Sequence, residues 1–481
     1  MLAVTSILII PAVRQPAFLP CVSIDSPSNH FINTILMSKQ SPIPSHRFNR
    51  LFRLGKLASG VAGSALQEGA KKMIRGERPV ASEMLLTPAN ASRISSQLSE
   101  MRGAVMKVGQ LLSMEAGDIL PKELTDILSN LRESAHSMPQ ADLDAVLAGA
   151  WGENWRDLFN SFDEQPFAAA SIGQVHEAYD RQGQHLAIKI QYPGIAKSID
   201  SDVDNVASLL RWFKLLPPGL DIQPLLDAAK QQLHDEADYK LEAKYLMTYR
   251  ERIADDDMFR VPEVVHSLST ENILAMTYIE GESIEAVVEQ HPELRNQLAT
   301  RIIDLSLKEF LNWGMVQTDP NFANFRYNAK DNTIGLLDFG ALRIHDSGRS
   351  ASFTGLLRAA MEQDLEKIVH AACDVGYIEK DDPFNYRIAI ADLVQTAAEP
   401  ALHEGDYNFK RSSLSQRLSD KLMKLRSQKD FQRIPPADVI FLHRKLAGIY
   451  LLCANINAHV DVRAKIHDIF KLPPDPVPAV I

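Results

Sequence analysis

Two short segments of this 481-residue chain could do chemistry together. The first is Thr318-Asp319-Pro320-Asn321-Phe322-Ala323-Asn324, and the second is Leu336-Leu337-Asp338-Phe339-Gly340. An Asp followed five residues later by an Asn, then an apolar run closing on Asp-Phe-Gly, is the spacing of a phosphoryl-transfer site. In such a site Asp319 orients the attacking hydroxyl or a water. Asn324 and Asp338 hold Mg²⁺, which offsets the charge of the phosphates. Asp-Phe-Gly alone could sit at any strand-to-turn junction; the spaced pair is far more specific.

A site of this kind needs a lysine upstream, on a strand. Leu186-Ala187-Ile188-Lys189-Ile190 supplies it, and strict alternation puts Lys189 and Ala187 on one face with Ile188 and Ile190 on the other. Lys189 is the candidate for the α/β-phosphates. The phosphate-covering loop should lie just before it, across a polar turn at Arg181-Gln182-Gly183-Gln184. That place holds Ala168-Ala169-Ala170-Ser171, not a glycine-rich loop. Alanine resists the close backbone approach and positive φ that glycine allows, so this loop should cradle nucleotide differently.

In these motifs the chain resembles the UbiB/AarF group of atypical kinases, which includes the mitochondrial coenzyme-Q kinases. The resemblance covers roughly residues 85 to 470. Lys107-Val108-Gly109-Gln110 matches the group's K-x-G-Q signature, Ala168 to Ser171 its alanine-rich loop, and Glu236-Ala237-Asp238 its E-x-D signature. Gln317-Thr318-Asp319-Pro320-Asn321 through Asn324 reads like the coenzyme-Q branch. The resemblance implies an α+β, two-lobed protein-kinase-like fold: a small β-sheet lobe, a helical lobe, and a helical extension packed over the cleft. It implies ATP and Mg²⁺ as cofactors and support of ubiquinone biosynthesis at a membrane. It also implies that the K-x-G-Q helix blocks the place of a peptide substrate, with Lys107 and Gln110 acting inside the site and Glu236 and Asp238 facing them.

The elements that must position these residues follow from periodicity. A helix over about Ala91 to Ala116 has an apolar stripe of Met101, Val105, Val108 and Leu112; Lys107 and Gln110 lie off it and read, on periodicity alone, as surface residues. A long helix over about Pro224 to Ile253 buries Leu226, Ala229, Leu233, Ala237 and Leu241 and places Asp238 and Glu242 on one face. One glutamate of this helix should hold Lys189; Glu242 is favoured, with Glu236 the alternative. The strand Asn272 to Gly281 should be the last of the small lobe and run into the hinge, putting Met276 and Ile279 against ATP. Phe310 to Trp313 should close a helix before Gly314 and the catalytic loop. Helices should follow from Ser350 to Gln363, Ile388 to Ala398 and Leu414 to Leu425. Gln317 and Thr318 stand where His-Arg usually precede the catalytic Asp, and no Ala-Pro-Glu element follows Gly340. A peptide-binding platform is therefore doubtful.

Composition agrees. Hydrophobic content of 45% and charged content of 23% are those of a globular protein, and the net charge of −10 argues against nucleic-acid binding. Cys21, Cys373 and Cys453 have no metal-like spacing. The Val439 to Val460 run is interrupted by His443, Arg444 and Lys445, which argues against a membrane span. The expected divisions are an N-terminal extension over 1–46, disordered or preceding the true start at Met37; a helical extension over 47–150; a small lobe over 151–281; a helical lobe over 282–474; and a Pro-rich tail over 475–481. The first 67 residues carry one acid, Asp25, against Arg14, Lys39, Arg47, Arg50, Arg53 and Lys56, which leaves an organelle transit peptide as an alternative. The basic, amphipathic stretch from Arg47 to Arg75 could lie on an anionic membrane or pack on the core. The partners expected are ATP, an anionic lipid surface, and quinone precursors or quinone-biosynthesis proteins, with a homodimer left open. The setting is cytoplasmic at an inner membrane, or the mitochondrial matrix. Two rival readings stand: a true small-molecule or protein kinase, and a non-catalytic nucleotide-binding scaffold.

Overall fold

The computed structural model describes residues 101–116, 137–212, 222–319, 321–426 and 435–471. The expectations for the N-terminal extension, the Arg47 to Arg75 stretch, the first part of the K-x-G-Q helix, the Gln110 side chain and the Pro-rich tail lie outside the described residues.

Among the described residues two helices come first, α1 (Arg102–Ala116) and α2 (Gln140–Trp151). Strands β1 (Phe159–Phe162), β2 (Ala168–Ala169), β3 (Gly173–Asp180) and β4 (His185–Gln191) follow. After them come α3 (Ile195–Trp212), α4 (Gln223–Ala237), α5 (Tyr239–Arg252), β5 (Phe259–Arg260) and β6 (Ile273–Thr277). One sheet runs β1-β3-β4-β6 with β2 paired to β3, all antiparallel. Its logic is the alternation in β4. Leu186, Ile188 and Ile190 are fully buried on one face, each contributing on the order of 1.5–3 kcal/mol. Lys189 points to the other face, opposite Val175 of β3 and Leu274 of β6. The β3–β4 turn is closed by Asp180, whose carboxylate accepts from the amides of Gln182 and Gln184, with Gly183 at a φ of +80°.

The second half is mainly helical. It holds β7 (Glu282–Ser283), α6 (Ile284–Gln290), α7 (Arg295–Lys308), β8 (Met315–Gln317), β9 (Phe325–Asn328), β10 (Thr333–Leu336) and β11 (Leu342–Ile344). Then come α8 (Ser347–Glu362), α9 (Leu365–Val375), α10 (Phe384–Ala397), α11 (Glu399–Leu402), β12 (Tyr407–Asn408), α12 (Leu414–Arg426), α13 (Ala437–Asn455), β13 (His459–Val460) and α14 (Val462–Phe470). A small sheet, β5-β10-β9-β7, sits at the start of this half. α7 winds into a π-helical turn over Glu309–Trp313 and stops at Gly314, which takes the left-handed conformation that glycine adopts without strain. β8 then pairs antiparallel with β11, Gln317 opposite Leu342. That pairing draws the segment before Asp319 against the segment after Gly340.

The long helix expected from Pro224 to Ile253 is two helices. α4 ends at Ala237, and α5 starts at Tyr239. Asp238, at φ −95° and ψ 85°, caps α5 by accepting from the Leu241 amide at 2.9 Å. An aspartate that bonds the amide three residues on competes with the helical ladder and favours a new N-terminus. The break changes the buried face. Leu226, Ala229 and Leu233 are buried as expected, but in α5 the buried residues are Tyr239, Glu242, Leu246 and Tyr249. Asp238 is exposed and does not share a helix face with Glu242.

Among the described residues no helix is long and apolar enough to cross a membrane. In α13 the residues His443, Arg444 and Lys445 do not face solvent; all three are buried.

Candidate active site

Lys189 is the centre of the site. Its ammonium donates to both carboxylate oxygens of Glu242 at 2.8 Å and lies 3.9 Å from Asp338. Of the two glutamates left open by sequence, Glu242 is therefore the one placed on Lys189. Burial works against the charge of Lys189, but Asp338 and Glu242 outweigh it and hold the ammonium well above its ordinary range. Gly340 borders this cluster, and its amide donates to Asp338 Oδ1 at 2.9 Å.

The loop from Gln317 to Asn324 is tied to the Asp-Phe-Gly segment at four points. The Thr318 amide and hydroxyl both donate to the Ala341 carbonyl, at 3.1 and 2.7 Å. Gln317 Nε2 donates to the Asp338 carbonyl at 3.2 Å, and the Leu337 amide to the Asn324 carbonyl at 3.1 Å. Gln317 and Thr318 thus hold the two halves of the site together by neutral hydrogen bonds. Asn324 Nδ2 donates to Asp319 Oδ2 at 2.9 Å. Burial pushes the Asp319 carboxyl above its ordinary value, against the pull of Lys107 and Arg444. Asn324 and Asp338 are held close by the backbone bond between Leu337 and Asn324. Their donor set, one carboxylate and one amide oxygen, suits a hard cation that completes its shell with phosphate and water oxygens.

Above the cleft, Ala168 and Ala169 form the short strand β2, and Ala170 and Ser171 lead into β3. Gly173 follows because a Cβ there would collide with the Ile190 carbonyl at 2.3 Å. Helix α1 lies on this loop. A Cβ on Gly103 would stand 3.0 Å from the Ser171 carbonyl, so glycine sets that approach. Lys107 is 5% exposed and pairs with Glu236 at 2.5 Å, while Ser171 Oγ donates to the other Glu236 oxygen. Burial opposes its ionisation, yet Lys107 and Ser171 keep the Glu236 carboxyl below the usual range. Periodicity read Lys107 as a surface residue; it points inward because α1 is covered on that side by α4. The E-x-D pair splits: Glu236 meets the K-x-G-Q helix, and Asp238 faces away as the cap of α5.

Met276 is buried on β6 opposite Ala187. Ile279 is half-buried beyond the strand end and packs on Gly335, where a Cβ would meet its Cγ2 at 2.3 Å. The hinge begins where the Tyr278 amide donates to the His185 carbonyl.

Sequence reasoning passed over two residues of the site. Glu309, 1% exposed, accepts from the Tyr249 hydroxyl at 2.7 Å and pairs with Lys445 at 2.8 Å, which fixes the turn before β8. Arg444, also 1% exposed, lies 3.5 Å from Asp319. The available signal was a run of basic residues inside an apolar helix, because buried charges are found paired.

Residues 130–372 match the ABC1 atypical kinase-like domain family. The Saccharomyces cerevisiae protein "Atypical kinase COQ8, mitochondrial" is 37% identical over 434 residues, covering 90% of this chain and 86% of that protein. The Rattus norvegicus protein "Atypical kinase COQ8B, mitochondrial" is 35% identical, covering 90% of this chain and 82% of its own length. Among solved structures, the Mycobacterium tuberculosis protein Rv3197, in complex with erythromycin, superposes with a TM-score of 0.56 at 27% identity; the match covers 81% of this chain and 97% of that one. Such a family implies ATP binding. With a kinase-like fold and these relatives, the chain belongs to the UbiB/ABC1 family of atypical kinases, in its coenzyme-Q branch, and is an enzyme of the kinase or ATPase type.

Proposed function

We propose that this chain binds Mg-ATP between its two lobes and turns it over in support of coenzyme-Q biosynthesis at a membrane surface. The observation that carries this reading is the convergence of Lys189, Glu242 and Asp338 with Asp319 and Asn324 in one cleft. Lys189, oriented by Glu242, would bind the α/β-phosphates. Asp338 and Asn324 would hold Mg²⁺, which when bound neutralises charge on the phosphates. Asp319 would orient an acceptor hydroxyl or water. The backbone near Met276 and Ile279 would meet adenine, and Ala168 to Ser171 would cover the phosphates without the flexibility of glycines. Lys107 and Glu236 would set how closely α1 is docked on that loop.

The acceptor is not a peptide strand in this reading. After Gly340 the chain pairs at once with β8 through β11 and enters α8 at Ser347, while α1 lies on the alanine loop. That favours water or a small, membrane-borne acceptor, reached from the inner-membrane surface on the cytoplasmic or matrix side. The basic Arg47 to Arg75 stretch would supply the membrane contact.

The test is release of phosphate from Mg-ATP by the purified chain, with and without anionic liposomes and a phenolic quinone-precursor mimic. Labelled γ-phosphate is followed in parallel. Turnover that rises with lipid, with label leaving as free phosphate, supports the ATPase reading. Label transferred to an added acceptor moves the assignment to a true kinase. Nucleotide binding without turnover under any condition moves it to a scaffold.

A further inference from the structure

The catalytic loop from Thr318 to Asn324 carries no lysine or arginine. A site that transfers phosphate gains from a fixed cation beside the nucleophile, in addition to the lysine on the strand. The structure brings one from far along the chain. Arg444 sits on α13 in the helical lobe with 1% of its surface exposed. One guanidinium nitrogen, Nη2, lies 3.5 Å from Asp319 Oδ1, and the other, Nη1, donates to Gln232 Oε1 of α4 at 3.0 Å. Its Nε has no hydrogen-bond partner among the described residues, and neither has Gln232 Nε2. Gln232 is itself fully buried.

We infer that Arg444 is a positioning residue for the reaction: it holds the Asp319 carboxylate in place and ties that alignment to the docking of α4. Two observations, together with the metal role proposed for Asn324, carry this beyond an ordinary buried ion pair. The two oxygens of Asp319 have separate holders, Arg444 on Oδ1 and Asn324 on Oδ2. Asn324 is the residue proposed above to hold a metal, which would leave Arg444 as the side chain still in contact with Asp319, with Lys107 adding attraction from farther off. Finally, α4 carries Gln232 for Arg444, Asp235 for Arg343 beyond the Asp-Phe-Gly segment, and Glu236 for Lys107. A shift of α4 would therefore reach Asp319 through Arg444.

This inference rests on the phosphoryl-transfer reading of Asp319, so its test separates the two. On the full chain, kcat and KM for ATP are measured for Arg444→Gln, Arg444→Lys and Gln232→Leu. Arg444→Gln should lower kcat about 100-fold with KM changed by less than about threefold, since the interaction acts on the nucleophile side and not on ATP. Arg444→Lys keeps the charge but cannot span both partners, and should retain about a tenth of the wild-type kcat. Gln232→Leu should lose about tenfold in kcat and keep KM. A second readout needs no turnover. In a thermal-unfolding cycle of Arg444→Gln, Asp319→Asn and the double variant, the double should lose less than the sum of the singles. Proportional losses in kcat and in ATP binding, Lys no better than Gln, or an additive cycle would overturn the inference. If the wild-type chain shows no turnover, the proposed function fails, and the cycle alone decides whether Arg444 holds Asp319.

Discussion

Replacing Glu242 by Gln should disturb the site far more than the fold. At an effective dielectric near 20, an ion pair at 2.8 Å is worth about 6 kcal/mol and one at 3.9 Å about 4 kcal/mol. Asp338 is 37% exposed at its side chain, so solvent screening brings the second figure to about 2 kcal/mol. The substituted amide would still offer Lys189 a neutral acceptor worth about 1 kcal/mol. The substitution also removes the desolvation penalty of a carboxylate that is 1% exposed, which is several kcal/mol. These terms leave a net loss of about 2 kcal/mol rather than the roughly 3–5 kcal/mol expected when a buried charge is left with no partner. The ammonium then has one carboxylate to move to, Asp338, which would be drawn away from a metal. The expected result is a small fall in unfolding midpoint with a loss of Mg-ATP affinity of about 100-fold (about 2.7 kcal/mol). Denaturant unfolding and titration calorimetry read the two quantities. In the Glu242→Gln/Asp338→Asn double variant Lys189 has neither carboxylate left, and the stability loss should reach about 4 kcal/mol. A single Glu242→Gln variant that loses about 4 kcal/mol yet binds Mg-ATP normally would refute the idea that Glu242 and Asp338 compete for Lys189.

Two further outcomes follow from packing and titration. Gly173→Ala should prevent β3 from seating on β4, because its Cβ would stand 2.3 Å from a backbone carbonyl; poor soluble yield or a loss above about 3 kcal/mol is expected, and wild-type-like unfolding would contradict it. Burial lowers the folded-state pKa of His176, His345 and His443. A depressed folded value means that the stability is present above about pH 6.5 and is lost as pH falls below it, at up to about 1.4 kcal/mol per pH unit for each group. Glu242, pushed up to about 7 by burial, and Asp319, also raised, act with the opposite sign in part of that window. The cleanest test is therefore the difference slope: His443→Gln should flatten the loss between about pH 6.5 and 5 by about 1.4 kcal/mol per unit, and an unchanged slope would contradict it.

The juxtaposition of these residues was legible in sequence because a phosphoryl-transfer motif restricts residue type and spacing together. Lys189, Asp319, Asn324 and Asp338 could be named before any contact was known, and alternation in β4 gave the correct face for Lys189. Periodicity failed where a residue had to break the rule of its own element. Lys107 reads as solvated on α1, and only the covering helix α4 turns that face inward. Asp238 fits a helical pattern with Glu242, but its side chain favours a cap over another turn, and periodicity does not count that bond. In sequence Arg444 reads only as a mark against a membrane span, because its partners Asp319 and Gln232 lie on other elements and no local pattern joins them. Burial of charge is settled by tertiary neighbours, so this part of the site had to wait for the fold.

Lys189, Asn324 and Asp338 are proposed to hold a metal–nucleotide complex together. Calorimetric titration of ATP into the purified chain, with and without Mg²⁺ and beside Asp338→Asn, tests it most directly. Binding should be at least about tenfold tighter with Mg²⁺ in the wild-type chain, and that gain should be lost in the variant. Binding that is the same with and without Mg²⁺, or the same in Asp338→Asn, would contradict it.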